Sequence, residues 1–125
     1  MAEILLKQGE DLLLKVDIME GTTPVVLNPT SINNIIAVLF VGSQEVAKYS
    51  LNALAGHGSL EYHPTQNNSI NIIVERAQSK NFPVGVLKVV TLVQFVDAEF
   101  PDGKHKEYTI AIGRVVKGES KDIII

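Results

Sequence analysis

The sequence predicts an all-β fold, an antiparallel β-sandwich of about seven or eight short strands. Three observations carry the prediction. Val and Ile supply 15 and 13 of the 125 residues, and β-branched side chains suit a pleated, half-buried surface better than a helix. Apolar and polar residues alternate over short runs, the period of a strand with one covered face. Clusters of Gly, Pro, Asn and Asp separate the runs, and no long helical pattern lies between them.

From Asp11 to Met19, Leu12, Leu14, Val16 and Ile18 fall on one face while Leu13, Lys15 and Asp17 fall on the other. Ile32 to Val41 is apolar on both faces near its end, as a central strand would be. Gly42-Ser43 then turns the chain into a strand from Glu45 to Ser50. Residues 51–59, LNALAGHGS, read as an exposed loop, and apolar alternation resumes at Leu60 and Tyr62. A turn at His63-Pro64 and Gln66-Asn67-Asn68 leads into a strand from Ile70 to Glu75. Arg76 to Asn81 has room for one helical turn, stopped by Pro83 because the residue before proline is pushed towards extended geometry.

Gly85 opens the longest strand, Val86 to Val96. Leu87, Val89, Val93 and Phe95 face one side and Val86, Val90, Leu92 and Val96 the other, so both sides are expected to be covered. Phe100-Pro101-Asp102-Gly103 is a turn in which Pro presets φ, Asp bonds its own backbone and Gly accepts positive φ. The partner strand, Lys104 to Ile112, carries one wetter face. Gly113 and Gly118 are expected to end the regular pattern.

The length suits a single domain, assigned to residues 1–116, with residues 117–125 as an extension ending in an apolar strand. The chain ends are unusual. Ile4, Leu5 and Leu6 open the sequence, and Ile123, Ile124 and Ile125 follow the polar stretch Lys117 to Asp122. Exposed isoleucines beside unpaired backbone groups would template aggregation, so these residues should be covered by the chain's own sheet or by a neighbouring subunit. The six apolar residues are therefore the candidate protein interface.

Composition excludes several functions. A net charge of -3 gives no broad cationic field for nucleic acid. The absence of Cys removes disulfides, thiolate zinc sites and cysteine nucleophiles. The start MAEILLKQGEDLLLK has no basic region ahead of its apolar residues, and no apolar run approaches the roughly 18 residues of a membrane span. No membrane partner and synthesis in the cytoplasm are expected. His57, His63 and His105 do not pair at helical metal-site spacing, and neither a nucleophile elbow nor a phosphate loop is present. Asp97, Glu99 and Asp102 lack the spacing of a calcium loop. No catalytic residue, cofactor or metal is assigned.

One family resemblance follows from the order of features. Lys7-Gln8-Gly9-Glu10-Asp11 precedes the alternating strand Leu12 to Ile18, and Pro29-Thr30-Ser31 precedes the strand Ile32 to Val41. Ile70 to Glu75, the short Lys80-Asn81-Phe82 segment, Gly85 and the Phe100 to Gly103 turn follow. This arrangement resembles the immunoglobulin-like N-terminal domain of tailed-phage baseplate upper proteins and related head-fibre or virion adaptor domains. Such proteins often continue into a long receptor-binding or coiled region, whereas this sequence runs to Ile125.

The resemblance implies an immunoglobulin-like sandwich acting as a non-enzymatic virion structural protein: a capsid-decorating, neck, tail or baseplate subunit. Its partners would be other virion proteins in a homo-oligomer or multi-copy assembly, located in the virion. The alternative is a small carbohydrate- or cell-surface-binding sandwich, using the His57 loop and the Asp97 to Asp102 turn.

Overall fold

A computed structural model describes residues 3–124 and is all-β apart from short helical turns. In chain order the elements are β1 (Ile4–Lys7), β2 (Leu12–Asp17), β3 (Met19–Glu20), β4 (Thr23–Pro24), β5 (Ile32–Val41) and β6 (Gln44–Ser50). They continue as β7 (Gly58–Tyr62), β8 (Ser69–Val74), α1 (Arg76–Ser79), β9 (Gly85–Phe95) and β10 (Lys104–Val116). Eight strands join in one sheet of order β1-β10-β9-β5-β6-β7-β8-β2, which curls nearly into a barrel. β3 and β4 form a separate small hairpin.

Alternation explains the core. Ile35, Ala37, Leu39 and Val41 of β5, Leu87, Val89 and Val93 of β9, and Leu14 and Val16 of β2 all point inward and are buried. Ile70, Ile72 and Val74 of β8 meet them from the far side. The opposite face of the long strands differs from the expectation. Ile36, Val38, Phe40, Val90 and Leu92 are only half-buried, and Val86 and Val96 are exposed. A single curled sheet has one interior, so a strand central in the order still turns half its side chains outward. On that outer surface the Lys88 ammonium lies 5.1 Å from the centre of the Phe40 ring.

Two local features differ from expectation for steric reasons. β10 does not stop before Gly113; it passes through a bulge between Ala111 and Gly113 and continues to Val116. The glycine is needed by its neighbour, because a β carbon there would lie 1.8 Å from the Ile4 carbonyl oxygen. Gly113 thus lets β1 run parallel to β10 in the register Ile4 with Gly113 to Lys7 with Val116. Gly118 plays the same part against Gln8, whose carbonyl oxygen would be 1.7 Å from an added β carbon.

α1 closes the lower end of the barrel, the end at which β1 turns into β2. Its first turn is held by a capping box between Glu75 and Gln78. The Ser79 hydroxyl accepts from the Gly9 amide at 3.2 Å and donates to the Glu10 carbonyl at 2.7 Å. The Gln8 side-chain amide donates to the Phe82 carbonyl at 2.7 Å. These bonds satisfy backbone groups that a buried turn would otherwise leave unpaired.

Candidate functional site

The structure separates the described apolar residues at the chain ends. Ile4 is half-buried, Leu5 is 60% exposed and Leu6 is 1% exposed. The reason is the two-residue period of β1: pairing with β10 turns Leu6 into the core cluster and Leu5 outward. Leu6 is therefore a core residue of its own domain and offers no contact to a neighbour. Ile4 lies against the core from its margin. Leu5 remains a surface residue.

At the other end, residues 117–124 form turns after β10 ends at Val116, so the apolar strand expected there is not formed over Ile123 and Ile124. Ile123 is 61% and Ile124 96% exposed; Ile125 lies outside the described residues. One side chain fixes the course of this segment. The Arg76 guanidinium donates from Nη1 to the Gly9 carbonyl at 2.6 Å, and from Nη2 to the carbonyls of Ser120 at 2.8 Å and Ile123 at 2.6 Å. Its backbone amide is held in turn by Asp11 at 2.7 Å. The planar guanidinium suits this role because its donors point in fixed directions towards several acceptors. An open cleft of about 580 Å³ lies between α1 and the tail, with Arg76, Lys80, Lys121 and Ile124 on its walls.

A second site lies at the seam where the sheet fails to close. β1 covers the outer edge of β10 only from Gly113 to Val116. From Lys104 to Thr109, β10 has β9 as its sole strand neighbour among the described residues. Opposite stands β2, which among the described residues pairs only with β8. Between β10 and the segment that leads from the end of β2 into the β3–β4 hairpin is a slot of about 380 Å³, walled by Tyr108, Thr109 and Ile110 on one side and Asp17, Ile18, Met19 and Gly21 on the other.

Thr91 also lines the slot. It is 1% exposed, and its buried hydroxyl has no hydrogen-bond partner among the described residues. A pair between Lys106 Nζ and Glu20 Oε1 at 3.3 Å spans the upper mouth. Burial raises the Tyr108 hydroxyl above its ordinary pKa, with Lys106 opposing and Glu20 adding to the rise. Asp17 is pulled below its ordinary value, first by the Ser69 hydroxyl donating at 2.5 Å and then by Lys15 at 3.3 Å, against a cost of burial.

The remaining polar candidates are occupied locally or stand alone. The His63 imidazole Nδ1 accepts from the amides of Thr65 at 3.2 Å and Gln66 at 3.0 Å. Asp97 accepts from the Glu99 amide at 2.9 Å, which is turn chemistry. His57 is half-buried with an Nδ1 that has no partner among the described residues, and His105 is exposed on β10. Among the described residues no three His, Asp or Glu side chains gather into a metal-binding group, and no helix is long and apolar enough to cross a membrane.

The sequence pointed to the tail isoleucines through their composition. It gave no direct sign of Arg76 or the slot, since each depends on residues brought together from distant parts of the chain. No protein-family model, curated protein or solved structure matches this chain.

Proposed function

We propose that this chain is a non-enzymatic structural protein of a tailed-phage particle, a capsid-decorating, neck, tail or baseplate subunit that docks onto other virion proteins. One observation carries the docking reading. Ile123 and Ile124 project into solvent from a segment whose backbone is pinned by Arg76. Large apolar side chains held outward at a fixed position lose little further freedom on association, which favours binding. They also carry a cost if left uncovered.

The phage assignment comes from the resemblance to immunoglobulin-like baseplate and adaptor domains, and the strand order bears only on its all-β, two-layer part. The joint between β6 and β7 is two residue pairs long, so the barrel divides naturally into a layer β1-β10-β9-β5-β6 and a layer β2-β8-β7. A parallel first strand on the edge of a β10-β9-β5 layer, facing three antiparallel strands, is compatible with an immunoglobulin-like sandwich.

Removal of residues 122–125 tests the docking reading. The shortened chain is expected to keep its far-ultraviolet circular dichroism and cooperative unfolding while losing incorporation into particles or oligomers. Full assembly of the folded, shortened chain would reject the tail as an interface.

A further inference from the structure

We propose that the outer face of the paired strands β5 and β9 is a two-fold contact with a second copy of this chain. Ile36, Val38 and Phe40 of β5 and Val90 and Leu92 of β9 alternate outward with the buried residues of the same strands. None of the five belongs to the core cluster or packs against it. Pairing sets Ile36 beside Leu92, Val38 beside Val90 and Phe40 beside Lys88, so they form one continuous apolar surface. The solvated face of an antiparallel sheet ordinarily carries polar residues at such positions. Leu5 and Val86, both exposed, continue the surface at its lower corner on either side of Arg114. A contiguous patch of this kind marks an interaction site where scattered apolar residues would not.

The charged rim identifies the occupant. On the β10 side Glu107 stands level with Leu92, and Arg114 stands lower, level with Val86. On the β6 side Lys48 stands level with Val38, and Glu45 stands lower, level with Phe40. One flank therefore runs from negative to positive and the other from positive to negative. A surface with this polarity is complementary to itself when turned over. The contact between Glu45 and Lys48 at 3.6 Å is exposed and worth little, so both groups are available to a new partner.

Aligned packing about an axis parallel to the strands lays β6 over β10 and β5 over β9 of the second copy. Val38 then meets Val90 and Ile36 meets Leu92. Lys48 approaches Glu107 and Glu45 approaches Arg114, each offset along the strand by roughly 6–7 Å, a step that long side chains span. Lys88 meets the Phe40 ring of the second copy. Its ammonium already lies 5.1 Å from the centre of its own Phe40 ring, so closure leaves it between two aromatic faces. An axis across the strands, centred on the same patch, would set Lys88 against Val90 and bury its charge without a partner.

Sedimentation velocity at concentrations up to about 1 mM tests the contact, with circular dichroism verifying the fold of each variant. The wild-type chain is expected to dimerise. Val90→Arg puts a charge in the middle of the patch and should weaken the dimer at least about tenfold. Lys48→Glu and Glu107→Lys alter exposed positions and should each weaken it roughly fivefold, and the double variant should return to within about twofold of wild type. The chain lacking residues 122–125 should keep this dimer even where it fails to join larger assemblies, which separates the face from the tail.

A wild-type chain that stays monomeric throughout overturns the proposal, whatever else covers the face. So does a dimer unchanged by Val90→Arg and by both charge reversals. Reversals that weaken the dimer without recovery in the double variant overturn the pairing of β6 with β10 and with it this two-fold. A dimer indifferent to the face but lost with residues 122–125 overturns it as well and leaves the tail as the contact.

Discussion

Replacing Gly113 by alanine tests how β1 is held. The added carbon would sit 1.8 Å from the Ile4 carbonyl oxygen and 2.7 Å from its carbonyl carbon. Both obstacles are backbone, so no side chain can swing aside, and β1 must separate from β10. Separation gives up main-chain hydrogen bonds in the Ile4 to Lys7 register, each worth about 0.5–1.5 kcal/mol net. It also uncovers Leu6, whose burial contributes about 1.5–3 kcal/mol. Two such bonds at about 1 kcal/mol each, with partial exposure of Leu6, put the loss at about 3–4 kcal/mol, a large share of the roughly 5–15 kcal/mol typical of a domain. At about 4 °C per kcal/mol the Tm falls by roughly 12–16 °C.

Gly42 supplies the control. Its φ is +60°, and nothing lies within 4 Å of an added β carbon. Alanine there meets only the left-handed backbone cost, about 1–2 kcal/mol. Gly113 has no positive φ, so a ranking by dihedral angle alone would make it the milder site. Urea unfolding of both variants gives the two free energies, and amide hydrogen exchange reports whether Leu5 to Lys7 remain protected. Gly113→Ala no costlier than Gly42→Ala, with those amides still protected, would refute the steric argument.

Two further substitutions probe the tail and the acid response. Arg76→Lys keeps the charge but cannot present the same planar set of donors to Gly9, Ser120 and Ile123; we expect a stability loss of about 1 kcal/mol and faster proteolysis after Lys117 and Lys121, and an unchanged cleavage rate would show that the clamp does not order the tail. Ser69→Ala removes the donor chiefly responsible for lowering the Asp17 pKa. Because the folded-state value is depressed, Asp17 contributes stability above its unfolded pKa and loses it as pH falls through the folded one. The variant should therefore show a higher Asp17 pKa by NMR titration, with about 1 kcal/mol less stability at neutral pH; an unmoved titration would reject Ser69 as the cause.

The parts of the fold that could be read from the sequence are those encoded in neighbouring residues. The alternation around Leu14 and Val16 marked β2, Ile70 to Val74 marked most of β8, and Pro101-Asp102-Gly103 marked the turn between β9 and β10. The helical turn before Pro83 was visible for the same reason. What escaped depends on partners far away in the chain. Gly113 looked like a stop because glycine weakens an isolated strand, yet its missing side chain is what admits Ile4. Leu6 and Leu5 are equally apolar, and only the pairing with Val115 and Arg114 decides which of them is buried. The β3–β4 hairpin is two residues per strand, too short for a periodic signal.

The distribution of charge along the open edge bears on how copies would meet. Lys104, His105 and Lys106 lie at the upper end of β10, ahead of Tyr108 and Ile110 at the slot. If two copies paired β10 to β10, both basic ends would be brought to one interface and the Lys106 to Glu20 contact at the mouth would be crowded. Lysines on an edge strand discourage that kind of pairing. The same edge thus disfavours a symmetric β10-to-β10 dimer.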